Sequence, residues 1–192
     1  VAHAAFLIRR GESVICRKPF RPRARRVALV LMDVDGVLTD GRLGLGDHGR
    51  EARRWHVRDG SGIVLARRAG LRCGFLSGRG DAGVRRRARE LGVEEVHLGA
   101  RDKGAIYEEV RGRLGLDDRD VCYIGDDLVD LPVLRRVGVP VAVADAHPEV
   151  RRRVPFVTAA AGGAGAVREV LDALLQAQGR MREILARFEG ER

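Results

Sequence analysis

Apolar and polar positions along this chain fall into two alternating patterns. Short apolar runs bounded by Gly, Ser or Asp recur between longer stretches whose apolar residues lie three or four apart. Residues 27–34, apolar apart from Asp33, suit a strand buried on both faces of a parallel sheet. Residues 71–76, 96–98, 121–124 and 139–143 read the same way, and 156–157 as a last short strand. Between them, 59–69, 81–91, 102–114, 127–137 and 148–152 read as helices, and 165–186 as one long final helix. Asp59 stands as the cap of the first helix and Gly70 as its stop. Residues 41–46 and 51–57 read as a hairpin, because Gly49 can take a positive φ at the turn between them. Strands alternating with helices at short spacing predict right-handed βαβ units. The expected fold is α/β, an open parallel sheet with helices on both faces and a small β-hairpin after the first strand.

Charge changes this picture at one end only. Residues 1–26 hold eight basic residues against Glu12, so they carry +7 of the formal +9 and leave the body nearly balanced. A basic leader over 1–24, poorly ordered, is expected. Its Arg-rich, acid-poor composition also fits an organelle transit peptide, and the initial Val fits a fragment or a misplaced start. The body has no basic stripe and aromatics are 4% of the chain, which argues against nucleic-acid binding. No apolar run reaches the ~18 residues of a membrane span. Cys16, Cys73 and Cys122 are odd in number and form no CxxC pair. That excludes a zinc ribbon or a disulfide framework and fits the reducing cytoplasm.

In open parallel sheets ligands bind at the carboxyl ends of the strands, and those ends carry the chemistry here. The first ends in Asp33-Val34-Asp35-Gly36-Val37-Leu38-Thr39-Asp40-Gly41. Two carboxylates two residues apart leave a strand on the same side and repel unless a hard divalent cation joins them. Taken alone, the segment also reads as a solvated turn. The second ends in Ser77-Gly78-Arg79, where a hydroxyl, free N–H groups and a guanidinium suit a phosphate, although Ser-Gly is equally a plain turn. Lys103 opens a later helix and is one of two lysines among 36 basic residues, the other being Lys18 in the leader. It is either a point charge for a site or a surface residue. The fourth strand ends in Gly125-Asp126-Asp127-Leu128-Val129-Asp130, three acids that suit a metal and its supporting shell, or the favoured first turn of a helix.

In this order the four segments resemble the motifs of the haloacid dehalogenase superfamily, a Rossmann-like fold. The likeness extends to the hairpin, to residues 57–60, to GDDLVDLPVL, VAVADAHPEV and residues 162–169, and these are similar to the family of 3-deoxy-D-manno-octulosonate (KDO) 8-phosphate phosphatases. The match covers 25–180, the expected phosphatase domain, and leaves 181–192 as a tail. The resemblance implies a Mg²⁺-dependent phosphoric monoester hydrolase of lipopolysaccharide biosynthesis. Asp33 would be the nucleophile that becomes an aspartyl-phosphate, and Asp35 the general acid and base. The metal would be held by the carboxylates of Asp33 and Asp126 and the carbonyl of Asp35, supported by Asp127 and Asp130. Ser77, Gly78 and Lys103 would hold the phosphoryl oxygens. His56, Val57, Arg58, Asp59, Gly60, Arg79 and Arg87 match substrate contacts, although Arg87 also reads as a solvated helix face and His56 as a hairpin end. The resemblance further implies no separate cap domain and a homotetramer whose hairpins cover neighbouring sites. No insertion after the first or second motif is long enough for a cap.

Val64 stands where some relatives carry arginine, so another sugar-acid phosphate or a broader range of small phosphates is the first rival substrate. A second rival is an accessory subunit similar to that of phenylphosphate carboxylase, opposed by the presence of every catalytic carboxylate.

Overall fold

A computed structural model of the chain describes residues 20–45 and 51–190. Strand β1 (Leu29–Met32) is wholly buried. It lies between β4 (Arg72–Ser77) and β6 (Val121–Gly125), in parallel register Leu29↔Arg72 and Leu29↔Val121. Outward from β4 runs β5 (Glu95–Leu98), and outward from β6 run β7 (Val139–Ala142) and β8 (Phe156–Val157). The six-stranded sheet therefore has the order β5-β4-β1-β6-β7-β8, and every pairing is parallel. The order reverses about β1, with its successors in the chain on one side and later strands on the other. That is the position where α/β sheets open a crevice.

Helices α2 (Val57–Arg68) and α3 (Ala82–Leu91) connect β1 to β4 and β4 to β5. α4 (Lys103–Arg113) leads back to β6, and α5 (Leu131–Leu134) and α6 (Pro148–Arg153) lead on toward β8. Right-handed crossovers in opposite directions place α2 and α3 on one face and α4 to α6 on the other. α7 (Ala166–Ala177) and α1 (Phe20–Ala24) complete the first face, with α7 packed along α2. The core between these layers is continuous, from Leu31, Phe75 and Ile124 in the sheet to Ile63, Tyr107, Val170 and Leu174 in the helices.

Several boundaries differ from expectation, each for a physical reason. α2 begins at Val57 after His56, not at Asp59, because the Asp59 carboxylate is engaged by another helix. The expected helix over 127–137 is a 3-10 turn, Leu128–Asp130, followed by one turn of α-helix. Pro132 has no N–H to give, and the Asp130 side chain takes backbone N–H groups at the entry. The long final helix divides into α7 and α8 (Met181–Glu189) around Gly179, whose φ of 75° closes α7 in a left-handed stop. α8 lies in the segment expected as a tail and buries Ile184.

At the other end, α1 lies within the expected leader. Its Phe20 is 1% exposed and meets the Phe156 ring edge-on, so this end of the basic stretch belongs to the fold. Residues 1–19 are outside the described residues. The hairpin is β2 (Gly44–Leu45) against β3 (Glu51–Ala52), extended by an isolated bridge from Thr39 to Trp55. Its turn, with Gly49, also lies outside the described residues.

Candidate active site

The chain leaves β1 at Asp33, whose N–H still donates to Ile124 in the next strand, so the sheet fixes its backbone. The following loop folds back on itself. Thr39, fully buried, donates its hydroxyl to the Val34 carbonyl and accepts from the N–H groups of Gly36 and Gly41. Gly36 sits at φ 88°, and a Cβ there would fall 2.1 Å from Asp126 Oδ2. The loop thus needs glycine for its conformation and for the approach of the second carboxylate. From the far side, the segment after β8 presses in. A Cβ on Gly162 would stand 1.7 Å from the Gly36 carbonyl oxygen, and the Gly163 N–H donates to Val37.

Four charged side chains meet at this point. Lys103, the first residue of α4, is 4% exposed and places Nζ 2.8 Å from Asp33 Oδ2 and 2.7 Å from Asp130 Oδ1. Asp130 is completely buried and fully engaged. Its Oδ1 also accepts from the Tyr123 hydroxyl at 2.6 Å, and its Oδ2 accepts from the N–H groups of Asp126 and Asp127. Burial and then Asp130 hold the Tyr123 phenol well above its usual pKa, so it remains a neutral donor. Asp126 brings a carboxylate toward Asp33, and one oxygen each of Asp33, Asp126 and Asp130 lie within 4.8 Å of one another. Asp127 turns aside and caps the 3-10 turn, accepting from the Leu128 N–H.

This cluster carries three carboxylates and one ammonium. At an effective dielectric of 20, each carboxylate pair repels by about 3–4 kcal/mol. Burial, then Asp130, push the Asp33 carboxyl up to about 7. Burial, then Asp33, push Asp126 up to about 8. Burial works against the charge of Lys103, but Asp33 and Asp130 outweigh it and its pKa is raised. The buried Asp126 Oδ1 has no hydrogen-bond partner. Three crowded carboxyls against one ammonium, an orphaned carboxylate oxygen and an all-oxygen donor set fit a hard divalent cation held by Asp33 and Asp126.

Around the cluster, Ser77 ends β4 and is buried, with its Oγ accepting from the Arg79 N–H. Gly78 and Arg79 follow it at the surface. Arg79 pairs with Glu51 of the hairpin at 2.7 Å. Arg87 on α3 pairs with Glu90, and its guanidinium lies 5.9 Å from the centre of the Trp55 ring. Val57 and Arg58 are exposed, and Val64 packs against the core.

Two of the expected substrate contacts are occupied otherwise. Asp59 is 1% exposed and accepts from the N–H groups of Gly165 and Arg168, serving as a cap for α7 from a different helix. Gly60 is packed under Arg87, whose Nη2 would stand 2.5 Å from a Cβ there. His56 Nδ1 lies 3.8 Å from Asp59.

Sequence reasoning passed over Tyr123 and Arg53. Tyr123 is the one polar-tipped side chain of β6, a signal of a buried partner. Arg53 follows β3, with a side chain 3% exposed that pairs with Asp35, Glu51 and Asp81. Its signal was strand alternation, since Glu51, Arg53 and Trp55 share one face.

An aspartate-bearing loop on a central parallel strand, facing a lysine and two further carboxylates, fits the haloacid dehalogenase-like hydrolases. The model of that family matches residues 68–171, and the chain belongs to it. The particular family follows from closer relatives. The chain is 41% identical over 172 residues to the 3-deoxy-D-manno-octulosonate 8-phosphate phosphatase of Salmonella typhimurium, covering 88% of this chain and 92% of that one. The crystal structure of the Yersinia pestis phosphatase of that name superposes with a TM-score of 0.84 at 39% identity, over 86% of this chain and 89% of that one. The Moraxella catarrhalis phosphatase, solved in complex with magnesium, phosphate and KDO, superposes at 0.86 with 34% identity, over 88% and 97%. The chain is a member of the KDO 8-phosphate phosphatase family.

Proposed function

We propose that this chain hydrolyses KDO 8-phosphate to KDO and phosphate through an aspartyl-phosphate on Asp33. The observation that carries the reading is the buried cluster of Asp33, Lys103, Asp126 and Asp130 in a chain 41% identical to a phosphatase of that name. Asp33 and Asp126 would hold Mg²⁺, which supplies positive charge against the phosphoryl oxygens and keeps both carboxylates ionised.

Asp33 Oδ attacks phosphorus while the bond to the sugar oxygen breaks, and Asp35 gives its proton to that oxygen. In the second step Asp35 takes a proton from water, whose oxygen attacks the aspartyl-phosphate and frees Asp33. Lys103 and Ser77, with the N–H of Gly78, neutralise the phosphoryl oxygens. Such chemistry is largely a matter of position and charge. Arg79 and Arg87 supply cations for the sugar-acid carboxylate. The backbone of 56–60 forms the floor beside them, while the Asp59 side chain caps α7.

We further infer a homotetramer in which a neighbour's hairpin covers each site, in place of a cap domain. Val57 (76% exposed), Leu128 (46%) and Val129 (59%) stand at the carboxyl-end side of the sheet and offer apolar surface for such a neighbour. No described helix is long and apolar enough to cross a membrane. Cys73 and Cys122 are buried free thiols, which suits the reducing cytoplasm where we place the reaction.

Val64, apolar and packed on the core, favours one alternative, a different sugar-acid phosphate that lacks need of a cation there. Phosphate release from KDO 8-phosphate, a nine-carbon sugar-acid phosphate and simple sugar phosphates, with and without Mg²⁺, tests both. A strong Mg²⁺-dependent preference for KDO 8-phosphate is expected. Preference for another member of the panel moves the substrate, and inactivity on all of them overturns the phosphatase reading.

A further inference from the structure

We propose that Arg53 is a positioning residue that holds Asp35 in place for both of its proton transfers. The inference rests on the reading of Asp35 as general acid and base. Asp35 sits in the loop after β1, and its side chain is 20% exposed. Among the described residues, the only side-chain hydrogen bonds to its carboxylate come from Arg53, through Nε at 2.5 Å and Nη2 at 3.4 Å. A carboxyl that must donate to the leaving oxygen and later accept from water has to occupy one place through both steps. Two nitrogens of one planar guanidinium fix the plane of a carboxylate as a single contact does not.

Arg53 is itself held on all sides. Its side chain is 3% exposed, Nη2 donates to Glu51 at 2.9 Å, and Nη1 pairs with Asp81. Asp81 is in turn fixed, because its other oxygen caps α3 by accepting from the Val84 N–H at 2.9 Å. Glu51 is pinned from its second oxygen by Arg79 at 2.7 Å. A rigid line of contacts thus runs from the start of α3 through the hairpin to the acid–base carboxyl. Neighbouring Arg54 is exposed and takes no part.

The test separates proton transfer from the rest of catalysis by the leaving group. The alkoxide leaving from KDO 8-phosphate needs a proton as the P–O bond breaks, whereas the nitrophenolate of p-nitrophenyl phosphate departs without one. kcat/KM covers only steps up to that departure, so the later water attack does not enter. For Arg53→Met with Mg²⁺, kcat/KM on KDO 8-phosphate is expected to fall about 100-fold, the low end for loss of general acid catalysis. On p-nitrophenyl phosphate it should change by less than about threefold, below any effect assigned to general acid catalysis.

Arg53→Lys keeps one cationic contact and should recover about tenfold of the loss, since it gives up only the fork. Arg54→Met should leave both substrates unchanged. Asp35→Asn is the benchmark, and it should show the same selective loss. If Asp35→Asn is not selective, the acid–base reading itself falls. If it is selective but the Arg53 variants lose both substrates equally, or neither, the role of Arg53 is overturned. Should Arg53→Met not fold, by circular dichroism, the substrate ratio of Arg53→Lys decides in the same way.

Discussion

At the scale of single residues, the site is a set of charges that the protein alone leaves unbalanced. Asp33 has one carboxylate oxygen on Lys103 and the other on its neighbour's N–H, and burial still pushes it to about 7. Replacing it with Asn keeps the shape and removes the proposed nucleophile. Turnover should fall by more than about 1,000-fold, as for other covalent nucleophiles, with an unchanged circular dichroism spectrum. Persistent turnover in a folded variant would move the nucleophile elsewhere. The raised carboxyls also set a dependence on pH. A carboxyl whose pKa is higher in the folded state binds more protons there, so its support for folding is full below about pH 4 and lost as pH rises through the folded value. For Asp33 and Asp126 that window reaches from the ordinary aspartate value of 3.8 to about 7 and about 8. Mg²⁺ competes with those protons. The rise in melting temperature on replacing EDTA with Mg²⁺ should therefore be larger at pH 8 than at pH 5. Equal rises at both pH values would show that the cation binds away from this pair.

At the scale of elements, α2 and α7 are joined by one buried carboxylate. Asp59 accepts the N–H groups of Gly165 and Arg168 from the first turn of a helix more than 100 residues further along. Removing it with Ala orphans both donors at a buried helix start, which costs about 2 kcal/mol. The urea midpoint should fall accordingly, while KM for the substrate changes little. A large KM increase with an unmoved midpoint would return Asp59 to the binding surface. This residue also marks the limit of what the chain reveals before folding. The alternation of apolar runs and helical spacing was enough for the parallel sheet, and the strand-end acids with the isolated Lys103 were enough for the charged cluster. Both signals are local. The start of α2, the partner of Asp35 and the break before α8 each depend on contacts between distant parts of the chain. Asp59 reaches α7, Arg53 reaches the loop after β1 and the start of α3, and the Gln178 amide donates to Ala24 and Val27. No window of sequence contains both ends of such a bond.

At the scale of the whole molecule, the cluster lies at the carboxyl edge of a sheet, and a two-stranded hairpin is the one described element rising after β1. A hairpin of that size buries little by itself. The proposed tetramer would give it a neighbour to cover. Light scattering should return about four times the 21.1 kDa of one chain, and activity per chain should fall as dilution breaks the assembly. A monomer with undiminished activity would remove the shared-site idea and leave the chemistry of a single chain intact.

The place of β1 within the sheet has a consequence for how the protein opens. Parallel strands flank it on both sides and its side chains are wholly buried, so no fraying of an edge reaches it. Its amides, and the Asp33 N–H bonded to Ile124, should exchange with deuterium only when the entire domain unfolds. The hairpin amides should exchange by small local openings instead. The proposed nucleophile would thus be anchored in the slowest-exchanging part of the molecule, and its proposed acid–base partner tethered to one of the fastest.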